Sequence, residues 1–194
     1  MILRKGRIKM SHQDNNSYYT TQRLHAAAEY WEKKDAAGAT VDREVLQRRM
    51  EEYILANNTC ALATGSGDYV RCTPIEYSYH DDAFWMFSEG GKKFIGLADN
   101  PNVCLAIYDK YEGFGKLHGM QVMGRAELIE PFSETYVAHA NYKKISLDFL
   151  KKMESPMHLI CVHPVRIECL FSDFKELGGA ARQTLIVDAD EAAK

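Results

Sequence analysis

Apolar residues recur at helical spacing in the first third of the chain and at short, alternating spacing after it. Between Thr20 and Ala37, Leu24, Ala27, Ala28 and Trp31 stand among Glu and Lys, and Gly38 is a natural stop, so a helix is expected there. A second helix is expected from Asp42 to Ala56. Its Val45, Leu46, Met50, Tyr53 and Ile54 make one apolar stripe. Strand-like runs follow at Thr59–Thr64, Tyr69–Tyr79, Ala83–Ser88, Val103–Tyr108 and Lys116–Glu130, then at Met157–Val162 and Val165–Phe171 around His163-Pro164. Gly65-Ser66-Gly67-Asp68 and His80-Asp81-Asp82 mark turns. Pro74 has no N–H for a ladder, so its run should be an edge or a break in pairing. Short helices are expected at Lys92–Ala98, Ser133–Tyr142 and Ser146–Met153.

About six strands, with helices at the ends rather than between each pair, predict an α+β fold built on a six-stranded antiparallel barrel with N-terminal and peripheral helices. A parallel dinucleotide-binding sheet would need regular strand–helix alternation and a GxGxxG, and neither is present. The expected organisation is a flexible segment at 1–18, helices at 19–57, the barrel at 58–172 and a tail at 173–194.

Charge narrows the choice of partners. The net charge is −3 over 194 residues. Arg4, Lys5, Arg7 and Lys9 put four positive charges in the first ten residues, so the body is acidic. A nucleic-acid partner is not expected, because phosphate contacts need a basic face. No apolar run is long enough for a membrane helix, and none follows the basic start as a secretory leader would require. Cys60, Cys72, Cys104, Cys161 and Cys169 are odd in number and widely spaced, without a CxxC. They read as reduced thiols of a cytoplasmic protein, with no metal site expected.

Chemistry concentrates in two stretches, Arg71-Cys72-Thr73-Pro74 and Phe87-Ser88-Glu89-Gly90-Gly91-Lys92-Lys93. The two glycines let backbone approach a ligand closely. Lys92 and Lys93 open a helix, which is the unfavourable end for cations unless an anion neutralises them. Ser88 adds a hydroxyl donor, and Arg71 a guanidinium that can bind two oxygens at once. This set suits a terminal phosphate. It is also what a solvated lysine pair and a surface arginine would look like.

The order of motifs resembles the pyridoxamine 5′-phosphate oxidase-like proteins, which are FMN-binding split barrels. It runs through Asn58-Thr59-Cys60-Ala61-Leu62-Ala63-Thr64, Gly67-Asp68-Tyr69-Val70-Arg71-Cys72-Thr73-Pro74, Phe84-Trp85-Met86-Phe87-Ser88, Gly91-Lys92-Lys93 and Asn100-Pro101-Asn102-Val103, and ends at Gly124-Arg125-Ala126-Glu127-Leu128. The resemblance covers residues 42–172. It implies FMN as cofactor, a homodimer with the flavin at the subunit interface, and a small-molecule substrate or nicotinamide donor. Arg71, Lys92 and Lys93 would meet the FMN phosphate. Phe87 and Ser88 would meet the ribityl–phosphate part, and the backbone of Cys72, Thr73 and Pro74 the ring edge. Gln121 resembles a glutamine near the flavin, although its spacing to Gly124 is shorter than in that pattern. The oxidases proper end in a tryptophan and an Arg-Leu-Arg-Pro run that hold vitamin B6. Here that region reads Gly178-Gly179-Ala180-Ala181-Arg182-Gln183-Thr184, and Trp31 and Trp85 both lie earlier, so B6 oxidation is not assigned and no catalytic residue is nominated. Three rivals stand beside an FMN oxidoreductase. One is a haem-handling barrel, with His118, His139, His158 or His163 as axial ligand. The second is a flavin-binding sensor or storage module without turnover. The third is a related barrel that uses a deazaflavin or no cofactor.

Overall fold

The computed structural model describes residues 18–188. The chain divides into two compact units between Gly38 and Ala39. In the first, helix α1 (Thr21–Ala36) starts where the Thr20 hydroxyl accepts from the Arg23 N–H at 3.3 Å. None of its described side chains is buried, and Lys34 Nζ lies 4.5 Å from the centre of the Trp31 ring. The basic residues at the start of the chain lie outside the described residues.

The second unit carries helix α2 (Arg43–Ala56), strands β1 (Thr59–Ser66), β2 (Tyr69–Glu76), β3 (Ser78–His80) and β4 (Ala83–Ser88), and helix α3 (Lys93–Asp99). Strands β5 (Asn102–Tyr108) and β6 (His118–Ile129), helices α4 (Glu134–Tyr142) and α5 (Leu147–Lys151), and strands β7 (His158–Phe171) and β8 (Arg182–Ile186) complete it. All pairs are antiparallel, in the order β2-β1-β5-β6-β7-β4-β3, with β8 on β7. The result is an α+β split barrel.

The described residues form eight strands rather than six. The run 69–79 breaks at Tyr77, which turns inward and donates its hydroxyl to the Ile54 carbonyl at 2.7 Å. The two runs expected around His163-Pro164 are one strand, because a bulge absorbs the proline. Gly124 pairs with Pro164 and Met123 with Arg166, which leaves Val165 unmatched. The bulged Val165 carbonyl accepts from the Val187 and Asp188 N–H groups at 2.9 and 3.1 Å. Nor is the stretch from Asp173 a bare tail up to Asp188. It forms β8, and the buried Gln183 amide bonds Val41 N–H, Ala39 O and Ala180 O. Gln183 thus serves side-chain-to-backbone bonds rather than solvent, while Lys175, Glu176, Arg182 and Thr184 stay exposed.

Two apolar clusters hold the unit. The larger fills the inside of the sheet and includes Leu46, Met50 and Ile54 of α2, with Leu62, Phe84, Met86, Leu105, Val122 and Ile167. The smaller lies against the other face of β4 and β7, where Trp85, Leu159 and Cys161 meet Tyr136 and Ala140 of α4 and Leu150 of α5. Strand β4 therefore turns alternate residues to different clusters, as the two-residue period of a strand requires. Edge strand β2 and strand β4 face one another across the open side of the barrel, and α3 packs on β1 and β2.

Candidate functional site

The open side gathers polar groups that the strands alone would not bury. Arg71 and Thr73 stand on the half-buried face of β2, opposite Thr64 and Leu62 of β1. Ser88 closes the same side of β4, directly across from His158 of β7. Lys93, Gly96 and Leu97 are the buried face of α3. Gly96 is required for that seat. A Cβ there would lie 2.9 Å from Gly65 N and 3.1 Å from the Thr64 hydroxyl.

Burial without partners is the main property of this corner. Thr64 is 3% exposed and Lys93 is 6% exposed. Thr64 Oγ1, Thr73 Oγ1 and Arg71 Nε are all buried without a hydrogen-bond partner. Orphaned polar atoms of this kind call for a missing partner, since each would cost about 1–3 kcal/mol if left unmade. Burial lowers the Lys93 pKa, and the Arg71 guanidinium nearby lowers it further. Neither cation forms an ion pair among the described residues. Two cations and two hydroxyls in a desolvated corner are complementary to a multiply charged oxyanion, and a phosphomonoester fits this donor set.

The residues expected at the site do not all meet there. Lys93 feels the Arg71 charge and shares the Gly90 carbonyl with Ser88, and Thr73 stands two residues from Arg71 on the same face of β2. The Lys92 side chain is exposed, and its carbonyl accepts from the Tyr69 hydroxyl at 2.9 Å. Cys72 and Pro74 turn their side chains to the other face of β2, which is exposed. Phe87 faces the smaller cluster, its ring 5.3 Å from Tyr136 and 5.2 Å from His139, so only its backbone borders Ser88. Gln121 is exposed on β6, paired with Ala106 and Glu168 on the outer sheet face. Two residues of the corner are not among the site residues expected from the sequence. Thr64 reaches it through register with Arg71, and His158 through register with Ser88. The sequence signal for Thr64 was available, as the polar end of an otherwise apolar Cys60-Ala61-Leu62-Ala63 run.

Other candidate histidines are bound elsewhere. His139 is buried and shares a 3.0 Å contact with His80. His118 Nε2 lies 3.2 Å from Asp173, and His163 Nε2 3.5 Å from Glu127 and from the Cys161 sulfur. The cavity of about 540 Å³ beside His118 is lined in part by groups already paired, Asp173 with Arg49 and Asp109 with the Tyr53 hydroxyl. Arg182 opens β8, and Tyr108, Tyr111 and Phe114 are exposed. Burial raises the thiols of Cys60, Cys161 and Cys169 to about 12, which keeps them protonated and inert.

The fold and this corner define an antiparallel split barrel with buried cations and hydroxyls at its open side. The family profile of pyridoxamine 5′-phosphate oxidase matches residues 46–171, and the chain belongs to that family. Solved structures agree on the fold. A FAD-binding protein from Mesorhizobium loti superposes with a TM-score of 0.52 at 20% identity, covering 62% of this chain and 89% of that one. A putative pyridoxamine 5′-phosphate oxidase from Listeria innocua gives 0.51 at 20% identity, covering 64% and 98%. HutZ, a haem storage protein from Vibrio cholerae, gives 0.51 at 15% identity, covering 61% and 89%. No curated protein sequence matches the chain.

Proposed function

We propose that the chain is an FMN-binding flavoprotein, an oxidoreductase acting on a small molecule. The observation that carries this is the trio of buried, partnerless atoms, Thr64 Oγ1, Arg71 Nε and Thr73 Oγ1, beside Lys93 and Ser88. In this proposal Arg71, Lys93, Ser88, Thr64 and Thr73 form the cradle of the FMN phosphate, and the Cys72–Pro74 backbone borders the ring. FMN supplies two-electron redox chemistry when bound. The protein's own contribution is to bind the ester end and orient the rest.

A second copy of the chain completes the site. The outer sheet face is lined by small residues in register, Ala61 and Ala63 of β1 and Ala106 of β5, with Cys72 and Cys104 beside them. A groove of about 480 Å³ crosses this face between Gly65, Val70, Cys104, Arg125 and Arg166, and Thr64 links it to the cradle. Small side chains allow two such faces to approach closely, as a two-fold interface requires.

Haem is the competing ligand, and one observation favours keeping it in view. The His158 ring lies 4.6 Å from Phe94, next to the cradle, with no hydrogen bond among the described residues. Absorbance of the purified protein and titration with FMN and haemin decide. Flavin bands and saturable quenching of FMN fluorescence support the proposal. A Soret band lost in His158→Ala, with no FMN binding, replaces it with haem. Oxidation of NADH or NADPH by the FMN-loaded protein separates an enzyme from a sensor.

A further inference from the structure

The cradle holds one acceptor of its own, the Gly90 carbonyl. It takes the Ser88 hydroxyl at 3.1 Å and the Lys93 ammonium at 2.5 Å, while Gly90 N–H donates to Ser88 Oγ at 3.2 Å. Two of the cradle's donors thus point at a neutral backbone oxygen. Charge-assisted donors prefer an anion over a neutral carbonyl, so this oxygen is a weak occupant. The loop that presents it is made of two glycines in sequence. Gly90 and Gly91 have φ of 131° and 98°, conformations open to glycine. A Cβ on Gly90 would meet nothing within 4 Å, and the α3 start that follows has no side-chain cap.

We propose that the peptide joining Gly90 to Gly91 flips when a phosphomonoester enters, and that the Gly91 N–H then becomes a ligand group of the cradle. This rests on the phosphate-binding reading given above. A flip rotates ψ of Gly90 and φ of Gly91 by about 180° each and leaves the neighbouring residues in place. The carbonyl swings away from Ser88 and Lys93, and the N–H turns toward the space it left. An acceptor is exchanged for a donor, which suits the incoming oxyanion. Gly91 lies over the ammonium already, since a Cβ there would be 3.8 Å from Lys93 Nζ.

The two glycines then respond differently to a side chain. The flip takes φ of Gly91 from 98° to about −80°, a region any L-residue adopts. Gly90 keeps its φ of 131° in both states. Gly91→Ala is therefore strained only in the ligand-free form, and Gly90→Ala is strained in both.

The test measures affinity for FMN by fluorescence quenching, and for inorganic phosphate by thermal shift, in the wild type, Gly91→Ala and Gly90→Ala. Gly91→Ala should melt lower than the wild type without ligand, and should bind both probes at least about fivefold tighter. Gly90→Ala should melt lower with unchanged affinity. On the wild type, the Gly91 amide should gain protection from hydrogen exchange when phosphate is added, a readout that survives if a variant fails to fold. FMN binding with no gain in Gly91→Ala, or an unchanged Gly91 amide, overturns the flip and leaves the flavin reading standing. The predicted pattern with phosphate but no FMN binding keeps the flip and removes the flavin. Failure of both probes removes both.

Discussion

Lys93 is a buried cation beside another cation, and its neighbours are neutral donors or a carbonyl. Without a ligand such a charge weakens the fold, because desolvation is not offset by an opposite charge. Lys93→Met keeps the length and removes the charge. It is expected to raise the melting temperature of the ligand-free protein while weakening FMN binding by about 1.5–3 kcal/mol, the size of a charge-assisted contact. Lys92→Ala, at an exposed position, should do neither. Parallel melts and FMN titrations check both. Gly96 governs the same corner by space alone. Gly96→Ala places a carbon 2.9 Å from the Gly65 nitrogen and should destabilise the protein by about 1–3 kcal/mol, seen as a lower urea midpoint at unchanged slope. Residue chemistry was legible where the donors lie close in sequence, as with Ser88 and Lys93. His158 was not, since strand register delivers it from a distance.

At the level of elements, α4 is fastened to the β3–β4 hairpin by two rings. His80 stacks on Trp85 at 5° and 5.2 Å, donates or accepts across 3.0 Å to His139, and faces Asp81 through its other nitrogen at 2.8 Å. Tyr142 covers both histidines, and Lys143 bonds Glu76 of β2 at 2.5 Å. Burial, then His80, then Lys143 push the His139 pKa from 6.5 down to about 4. The sign follows. The unfolded chain takes up this proton near pH 6.5 and the folded chain resists it until about pH 4. Stability is thus full above pH 6.5 and falls as the pH drops toward 4, by at most about 3 kcal/mol. His139→Gln should flatten that slope in denaturant melts taken across the range. Element types were largely readable, because the change of period from helix to strand is strong. The misreadings have local causes. Pro164 looks like a turn until the bulge opposite Gly124 supplies a place for it, and Gln183 looks like a solvated tail residue until its three backbone partners are seen.

For the whole molecule, the small-residue outer face is the expected contact between two copies. Ala63→Arg puts a long cation at its centre without touching the inner core. Sedimentation should then show a monomer in place of a dimer, with FMN affinity reduced at least about tenfold because half of the enclosing wall is lost. A dimer that persists with unchanged affinity would place the partner elsewhere. Nothing in the chain's own alternation identified this face, because a sheet side lined with alanine carries little hydrophobic signal. Strand β4 adds a last consequence. Ser88 and Phe87 are neighbours that serve opposite sides of one ribbon, the first in the cradle and the second against α4. A one-residue slip would put the Phe87 benzyl group or the Glu89 carboxylate where the Ser88 hydroxyl stands. Occupancy of the cradle should therefore steady α4 on the far side of the wall, as slower amide exchange in a helix that never meets the ligand.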